Sequence, residues 1–354
     1  MGDAVLEELT LICPGGQADD RCRRVLRQAL DGQAVRFSDG PNGPLHDRRL
    51  LFAVSLDEAG VNHAYYDLLV YLRTHPGCLS GSTAGILVDG VGDLYTKSTA
   101  RELALAVCGA EGLLVGRPLV EATGSLRNFT VQAKNAHCSL EEAYVLAVSD
   151  LAHRVRTFTP PRQKRPRIAV LHASSHRTSN TWALWSRVRE YLADCCDIRE
   201  IGLRNGTLED CAGCPYTMCL HFGEKEGCFY GGVMVQEVYP AVRDADCVLL
   251  LCPNYNDALS ANLTACINRL TALYRTTSFT KKAVYAIVVS GYSGGDIVAR
   301  QVISALSMNK GFYLPPRCCL LETANDAGSA MRLPGIEDRL RDFGLRIRRQ
   351  LCEE

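Results

Sequence analysis

The chain has no net charge: its 39 Lys and Arg residues are matched by 39 Asp and Glu. A balanced surface has no bulk field to recruit nucleic acid or an anionic membrane, so neither is expected as a partner. Long apolar stretches are also missing. No uncharged run approaches the ~20 residues needed to cross a bilayer, and the opening Met1 to Glu8 has neither the basic nor the apolar region of a signal peptide. These two absences lead to the expectation of a cytoplasmic protein. There is no Gly-x-Gly-x-x-Gly and no Gly-Lys-Ser/Thr, so neither a dinucleotide pyrophosphate site nor a P-loop is indicated. Charged residues make up only 22% of the chain and hydrophobic ones 47%, a balance that excludes disorder and predicts a well-filled core.

Cysteine, by contrast, is abundant, with 17 residues. Without an export signal the thiols are expected in a reducing compartment, where disulfides are rare. Thirteen are scattered singly or as the pairs Cys195-Cys196 and Cys318-Cys319, and read as small buried hydrophobes. The other four, Cys211, Cys214, Cys219 and Cys228, cluster in one segment.

The order of elements repeats. Gly85-Ile-Leu-Val-Asp-Gly90, a helical stretch and Leu119 to Thr123 parallel Ala286-Ile-Val-Val-Ser-Gly291, a helical stretch and Leu320 to Ala324. Upstream, Leu50 to Ser55 with the helix of Tyr65 to Leu72 answers to Val248 to Pro253 with the helix of Leu263 to Leu273. The opening strands, Leu9 to Cys13 and Arg167 to Leu171, correspond at a smaller offset, so the second half carries an insertion. Short Val, Ile and Leu-rich runs alternate with segments of helical period, which predicts parallel sheets covered by helices on both faces. The expected fold is α/β, two doubly wound parallel-sheet domains in tandem. Their spans are 1–156 and 168–354, joined by a Pro-rich and basic linker at 157–167, with the Cys-rich insertion at about 205–232. Ser139-Leu-Glu-Glu142 is a capping-box pattern that starts the helix closing the first half, and a helix containing Ile336, Leu340, Phe343, Ile347 and Leu351 closes the second.

In such sheets ligands bind beyond the carboxyl ends of the strands, so the loops there carry the chemistry. After the first strand of the second half comes Ala173-Ser-Ser-His-Arg-Thr-Ser-Asn-Thr181, rich in hydroxyls and leading into a helix. Backbone N–H groups at a helix start suit one phosphate, although the same residues also serve simply as caps. Cys252-Pro-Asn-Tyr-Asn-Asp257 and Ser290-Gly-Tyr-Ser-Gly-Gly-Asp296 follow the next two strands. Glycines for close backbone approach, amides for a polar edge and an aromatic wall are what a planar heteroaromatic ring needs.

With these motifs in order, residues of about 165–330 resemble the flavodoxin-like NAD(P)H-dependent FMN reductase family. Its opening Ser-x-Arg-x-x-x-Asn-Thr is matched by Ser174, Asn180 and Thr181, with the basic residue displaced to His176 or Arg177. Its Pro-x-Tyr loop is matched by Pro253-Asn-Tyr255, its Asp-Arg helix end by Asn268-Arg269 and its glycine-rich third loop by Gly291 to Gly295. Gly231-Gly232 stands where many relatives have Asp-Asp. The resemblance implies two flavodoxin-like domains, the second binding FMN and using NAD(P)H as co-substrate. It assigns the phosphate to Ser174, His176, Arg177, Ser179, Asn180 and Thr181, and the ring to Pro253, Asn254, Tyr255 and Asn256. Gly291, Tyr292, Ser293, Gly294 and Gly295 close the far side, and Tyr255 is the residue expected to meet the acceptor. It further implies a homo-oligomer, a dimer in the family.

The first half departs from the pattern. Its loop Cys13 to Arg21 places two carboxylates near the helix start, which would repel a phosphate, and Ser55 to Gly60 lacks Pro-x-Tyr. A degenerate copy that does not bind flavin is expected. The four clustered cysteines, separated by two, four and eight residues, are close enough to surround one metal centre. The resemblance extends to iron–sulfur flavoproteins and implies a [4Fe–4S] cluster; the wider later gaps leave structural zinc and free thiols in a substrate lid as alternatives, and His221 as a substitute ligand. The expected function is electron transfer from NAD(P)H through flavin to a small-molecule or protein acceptor. The alternatives are an electron carrier with no small substrate of its own, or a flavin-binding redox sensor.

Overall fold

The computed structural model describes residues 8–16, 20–40, 43–174 and 178–353. The chain divides into two compact units, one of Met1–Thr159 with Pro315–Arg317 and one of Pro160–Leu314 with Cys318–Glu354. Among the described residues no helix is long and apolar enough to cross a membrane.

The first unit runs β1 (Leu9–Ile12), α1 (Asp20–Ala29), β2 (Val35–Ser38), β3 (Arg49–Leu56), α2 (His63–Thr74), β4 (Thr83–Gly90), α3 (Thr96–Gly109), β5 (Leu113–Ala122), α4 (Thr130–Ala136) and α5 (Leu140–Thr157). All strands are parallel in the order β2-β1-β3-β4-β5. β4 is buried along its whole length, and β3 over most of it, because helices cover both faces of the sheet. The predicted capping box is present at the start of α5: Ser139 Oγ accepts from the Glu142 amide, and the Glu142 carboxylate accepts from the Ser139 amide at 2.8 Å. Tyr144, Val148, Leu151 and Val155, spaced at the helical period, are fully buried against α1 and the sheet.

The second unit runs β6 (Arg167–His172), α6 (Asn180–Glu190), β7 (Asp197–Gly202), α7 (Tyr216–Gly223), α8 (Tyr239–Asp244), β8 (Cys247–Pro253), α9 (Ala261–Tyr274), β9 (Ala283–Ser290), α10 (Gly295–Val302), β10 (Cys319–Thr323) and α11 (Ile336–Leu351). Its parallel order, β7-β6-β8-β9-β10, repeats that of the first unit. Both are the flavodoxin-like order, in which the chain first winds outward and then crosses back, leaving a crevice at the reversal between β6 and β8. The Cys-rich insertion lies between β7 and α8 and contributes α7. Among the described residues, the matching connection in the first unit, from Ser38 to Arg49, holds no helix.

Candidate functional site

The three loops singled out in the sequence meet at the carboxyl ends of β6, β8 and β9. Ser174, Ser179, Asn180 and Thr181 of the first, Pro253, Asn254 and Tyr255 of the second and Gly291 of the third line one crevice of ≈ 290 Å³. Thr178 joins them, as do Ala324 and Asn325 from a fourth loop after β10. His176 and Arg177 lie outside the described residues.

The first loop ends in a linked set of hydroxyls. Ser179 caps α6 by accepting from the Trp182 amide at 3.2 Å, and its Oγ lies 2.9 Å from Thr181 Oγ1, which lies 3.2 Å from Ser174 Oγ. Thr181 is almost wholly buried, so its hydroxyl ties the strand end to the cap. Three hydroxyls beside a helix N-terminus make a donor-rich, carboxylate-free seat for an anion. Asn180 also ties two loops together. Its Nδ2 donates to the carbonyls of Ala324 and Asp326 at 3.3 and 2.9 Å, and its Oδ1 accepts from the Ala330 amide at 3.3 Å. Its side chain thus holds the fourth loop in place while the residue itself lines the crevice.

In the second loop the Asn254 side chain is braced from three sides. Nδ2 donates to Asp257 Oδ1 at 3.2 Å, Ser290 Oγ at 3.1 Å and the Ser293 carbonyl at 2.9 Å, joining the second loop to the third. Its Oδ1 is buried and has no hydrogen-bond partner among the described residues. A buried carbonyl oxygen left unsatisfied costs ~1–3 kcal/mol, so a ligand N–H that reached it would be favoured. Tyr255 and Ala258 exchange backbone bonds at 3.4 and 3.2 Å across Asn256 and Asp257, both at positive φ. This tight turn leaves the Tyr255 ring 62% exposed at the mouth of the crevice.

Asn256 and the run Tyr292 to Gly295 do not line the crevice themselves. The third loop acts through the second: Gly294 caps α10 at φ 81°, where a Cβ would overlap the Asp257 carboxylate. Only glycine allows the loop to fold back against Asn254. Tyr292 is exposed beside it.

The four clustered cysteines come together. Cys211, Cys214, Cys219 and Cys228 line one cavity of ≈ 180 Å³, walled by Phe222, Phe229 and Tyr230 and by the α9 residues Asn268 to Arg275. Two residues singled out at the end of the family's helix motif anchor the segment. Asn268 Nδ2 donates to Asp210 Oδ1 at 2.9 Å, and Arg269, buried, donates to the Gly231 carbonyl at 2.7 Å and the Glu209 carbonyl at 3.4 Å. Asn268, together with the Cys211 amide, holds the Asp210 carboxyl below its usual range. Asn262, nearer the start of α9, donates to the Leu203 carbonyl at 2.7 Å. One helix thus carries both the end of the crevice loop and the anchors of the insertion. His221 points elsewhere, its Nε2 3.2 Å from Lys225 Nζ.

No three of these four sulfurs lie within 4.8 Å of one another; among the described residues, the one group that does is Cys195, Cys196 and Cys352. Cys196 and Cys352 are buried, as expected of small hydrophobes, and the fold also brings them together with Cys195 by carrying the end of α11 to the turn after α6.

In the first unit the corresponding place is filled by protein. Asp89, at the end of β4 where the second unit has Ser290, is fully buried, paired with Arg21 of α1 and bonded by the Tyr144 hydroxyl at 2.9 Å. Arg21 also donates to the carbonyls of Gly90 and Gly124 at 2.9 and 3.2 Å. Its guanidinium therefore spans the strand ends that the second unit leaves open. The two loop carboxylates expected to repel a phosphate lie outside the described side chains.

Parallel strand order with flanking helices defines each unit as a flavodoxin-like domain. Residues 166–326, within the second unit, match the model of the NADPH-dependent FMN reductase family. Solved structures similar to this chain include an apo NADH:FMN oxidoreductase at 17% identity, covering 53% of this chain and 91% of its own, with a TM-score of 0.37. An NAD(P)H:quinone oxidoreductase from Methanothermobacter marburgensis is 13% identical over 52% of this chain and 97% of its own, with a TM-score of 0.40. An FMN-dependent NADH-azoreductase from Bacillus anthracis, solved with FMN, is 10% identical over 51% and 99%, with a TM-score of 0.37. No curated protein matches the chain.

Proposed function

We propose that the second unit binds FMN in the crevice between β6 and β8 and works as an NAD(P)H-dependent flavin oxidoreductase, delivering electrons to a small-molecule or protein acceptor. The observation that carries this reading is the meeting of the hydroxyl-rich helix start, the Pro253-Asn-Tyr255 turn and Gly291 in one crevice, within a segment that matches the FMN reductase family. The fit is chemical. Ser174, Ser179 and Thr181 with the α6 N-terminus suit the phosphate, the partnerless Asn254 Oδ1 suits a ring N–H, and the exposed Tyr255 offers a face to a planar ring. Bound there, FMN would supply hydride exchange with nicotinamide and one- or two-electron delivery to the acceptor. The chain's own part is to hold the group, shape its polar edge through Asn254 and leave the Tyr255 side open for the acceptor. A second copy of the chain, as a dimer, would cover part of that open face.

The finer reading is that Cys211, Cys214, Cys219 and Cys228 hold a [4Fe–4S] cluster. The thiols share one cavity with Arg269 and Arg275, and Lys310 lies 3.0 Å from Thr271 Oγ1 on the same wall, its ammonium lowered in pKa by burial and partly restored by Cys211. Cations around four thiolates offset the negative charge such a cluster carries. Asn268 lies seven residues beyond Ala261, ~10 Å along the helix at 1.5 Å per residue, so the cavity stands near the crevice loop that α9 follows.

Anaerobic purification followed by flavin, iron and sulfide analysis tests both parts, with NADH and NADPH oxidation measured against quinone, azo and free-flavin acceptors. Bound FMN with turnover supports the enzyme reading. FMN bound without turnover of any small acceptor would point instead to a protein electron carrier, and failure to bind added FMN would overturn the proposal.

A further inference from the structure

Cys196 Sγ lies 3.6 Å from Cys195 Sγ and 3.9 Å from Cys352 Sγ, and all three sulfurs lie within 4.8 Å of one another. The first two residues sit in the turn between α6 and β7, and the third follows α11, 156 residues further along. Cys196 and Cys352 are buried and Cys195 is half-buried. No reading of the flavin crevice uses these thiols. They stand at the amino ends of the strands, where Asp197 begins β7 beside Arg167 of β6, whereas the crevice lies at the carboxyl ends. A six-residue strand at ~3.3 Å per residue separates the two by ~20 Å.

We infer that Cys195, Cys196 and Cys352 form a second metal site, holding one thiophilic d10 ion, Zn²⁺ or Cu⁺, that clasps the end of α11 to the α6–β7 turn. Three considerations carry it. Sulfurs bound to one zinc at 2.3 Å in tetrahedral directions lie ~3.8 Å apart, so the separations of 3.6 and 3.9 Å need almost no rearrangement. Three thiols with no imidazole among them form a soft donor set, which selects Zn²⁺ or Cu⁺ over hard cations. Two guanidiniums flank the site, Arg348, 2.9 Å from Asp194, and Arg165, paired with Asp197. Both Asp194 oxygens are engaged by Arg348, so zinc would take a solvent ligand as its fourth. Cu⁺ is content with three ligands. Binding replaces each S–H with an S–metal bond and releases the protons to solvent, with no change of oxidation state. A disulfide would employ two of the thiols and leave the third over; a metal employs all three.

The test uses the full chain, reduced and held under anaerobic conditions, freed of metal and titrated with Zn²⁺ and, separately, Cu⁺ against a competing chelator. Wild type is compared with Cys352→Ser, with Cys195→Ser, and with Cys211→Ser/Cys214→Ser, which disarms the insertion while leaving the three thiols intact. The expected result is one metal equivalent fewer in each of the first two variants. The third variant should still take one equivalent and melt at a higher temperature with metal than without. In Co²⁺ titrations the thiolate charge-transfer band of the third variant should disappear when Cys352→Ser is added to it. FMN content should be the same throughout. If the Cys211→Ser/Cys214→Ser chain binds neither ion, or if Cys352→Ser and Cys195→Ser hold as much metal as wild type with equal affinity, the inference is overturned. The Cys211→Ser/Cys214→Ser arm decides the matter even where replacing a buried cysteine impairs folding.

Discussion

The guanidinium of Arg269, buried on α9, donates to the main-chain carbonyl of Gly231 at 2.7 Å and so fixes the far end of the cysteine insertion to the helix that follows the Tyr255 loop. Asn268 fixes the near end through Asp210. Arg269→Ala removes the donor to both carbonyls, a loss of ~1 kcal/mol for each hydrogen bond. The expected outcome is a chain that keeps its FMN but loses most of its iron and sulfide, read by metal analysis alongside flavin absorbance. Iron content equal to wild type would separate the anchor from the metal centre.

Gly294 holds φ 81° against the Asp257 carboxylate. Gly294→Ala brings both backbone strain and overlap, together ~1–3 kcal/mol. Because Asn254 leans on this loop, the FMN dissociation constant should rise by about tenfold or more, a change of ~1.4 kcal/mol. Fluorescence titration of the apoprotein measures it. An unaltered constant would show that the third loop does not brace the second.

Thr181 links Ser174 and Ser179. Thr181→Val retains shape but removes the hydroxyl, and should weaken FMN by about tenfold while leaving riboflavin, which lacks the phosphate, bound as before, in keeping with ~1–1.5 kcal/mol for one hydrogen bond. Equal weakening of both ligands would move the phosphate away from this loop.

In the first unit Asp89 is fully buried and depends on Arg21. Removing one partner of a buried ion pair leaves an uncompensated charge, so Arg21→Ala should destabilise this unit by ~3–5 kcal/mol, and adding Asp89→Asn should restore part of the loss. Urea unfolding of the three chains tests the order. Were the double variant no more stable than Arg21→Ala, the stranded carboxylate would not be the cause.

Burial pushes the Cys266 thiol from 9.0 up to about 12. Between those two values the unfolded chain loses the thiol proton and the folded chain keeps it, so the native state binds more protons and stability falls as pH rises. Below pH 9 the thiol is neutral in both states and the effect vanishes. Cys266→Ala should therefore flatten the decline in the urea midpoint above pH 9, by up to ~1.4 kcal/mol per pH unit. Parallel declines in the two proteins would assign the alkaline loss to other groups.

The element order was legible along the chain because each element is a local pattern. Leu50 to Ser55 and Val248 to Pro253 are apolar runs of strand length, Ser139 and Glu142 meet within one helical turn, and the repeat of this order announced two similar sheets. The crevice was legible in part for the same reason. Ser174, Asn254 and Gly291 each follow a strand, and parallel sheets put such loops on one rim. Asn325 was missed although it too follows a strand, since Thr323-Ala-Asn-Asp326 has no glycine or aromatic signature.

Sequence alone determined the alternation of strands and helices, the position of the insertion and the residue types at the strand ends, all of which depend on neighbours a few positions apart. Tertiary structure alone decided that Asn180 holds the fourth loop, that Arg269 latches Gly231, that Arg21 spans the first unit's strand ends and that Cys196 meets Cys352. Those contacts join residues 38 to 156 positions apart, and no local periodicity encodes them. They arise when sheet order and helix packing bring distant side chains within hydrogen-bonding or sulfur-contact distance.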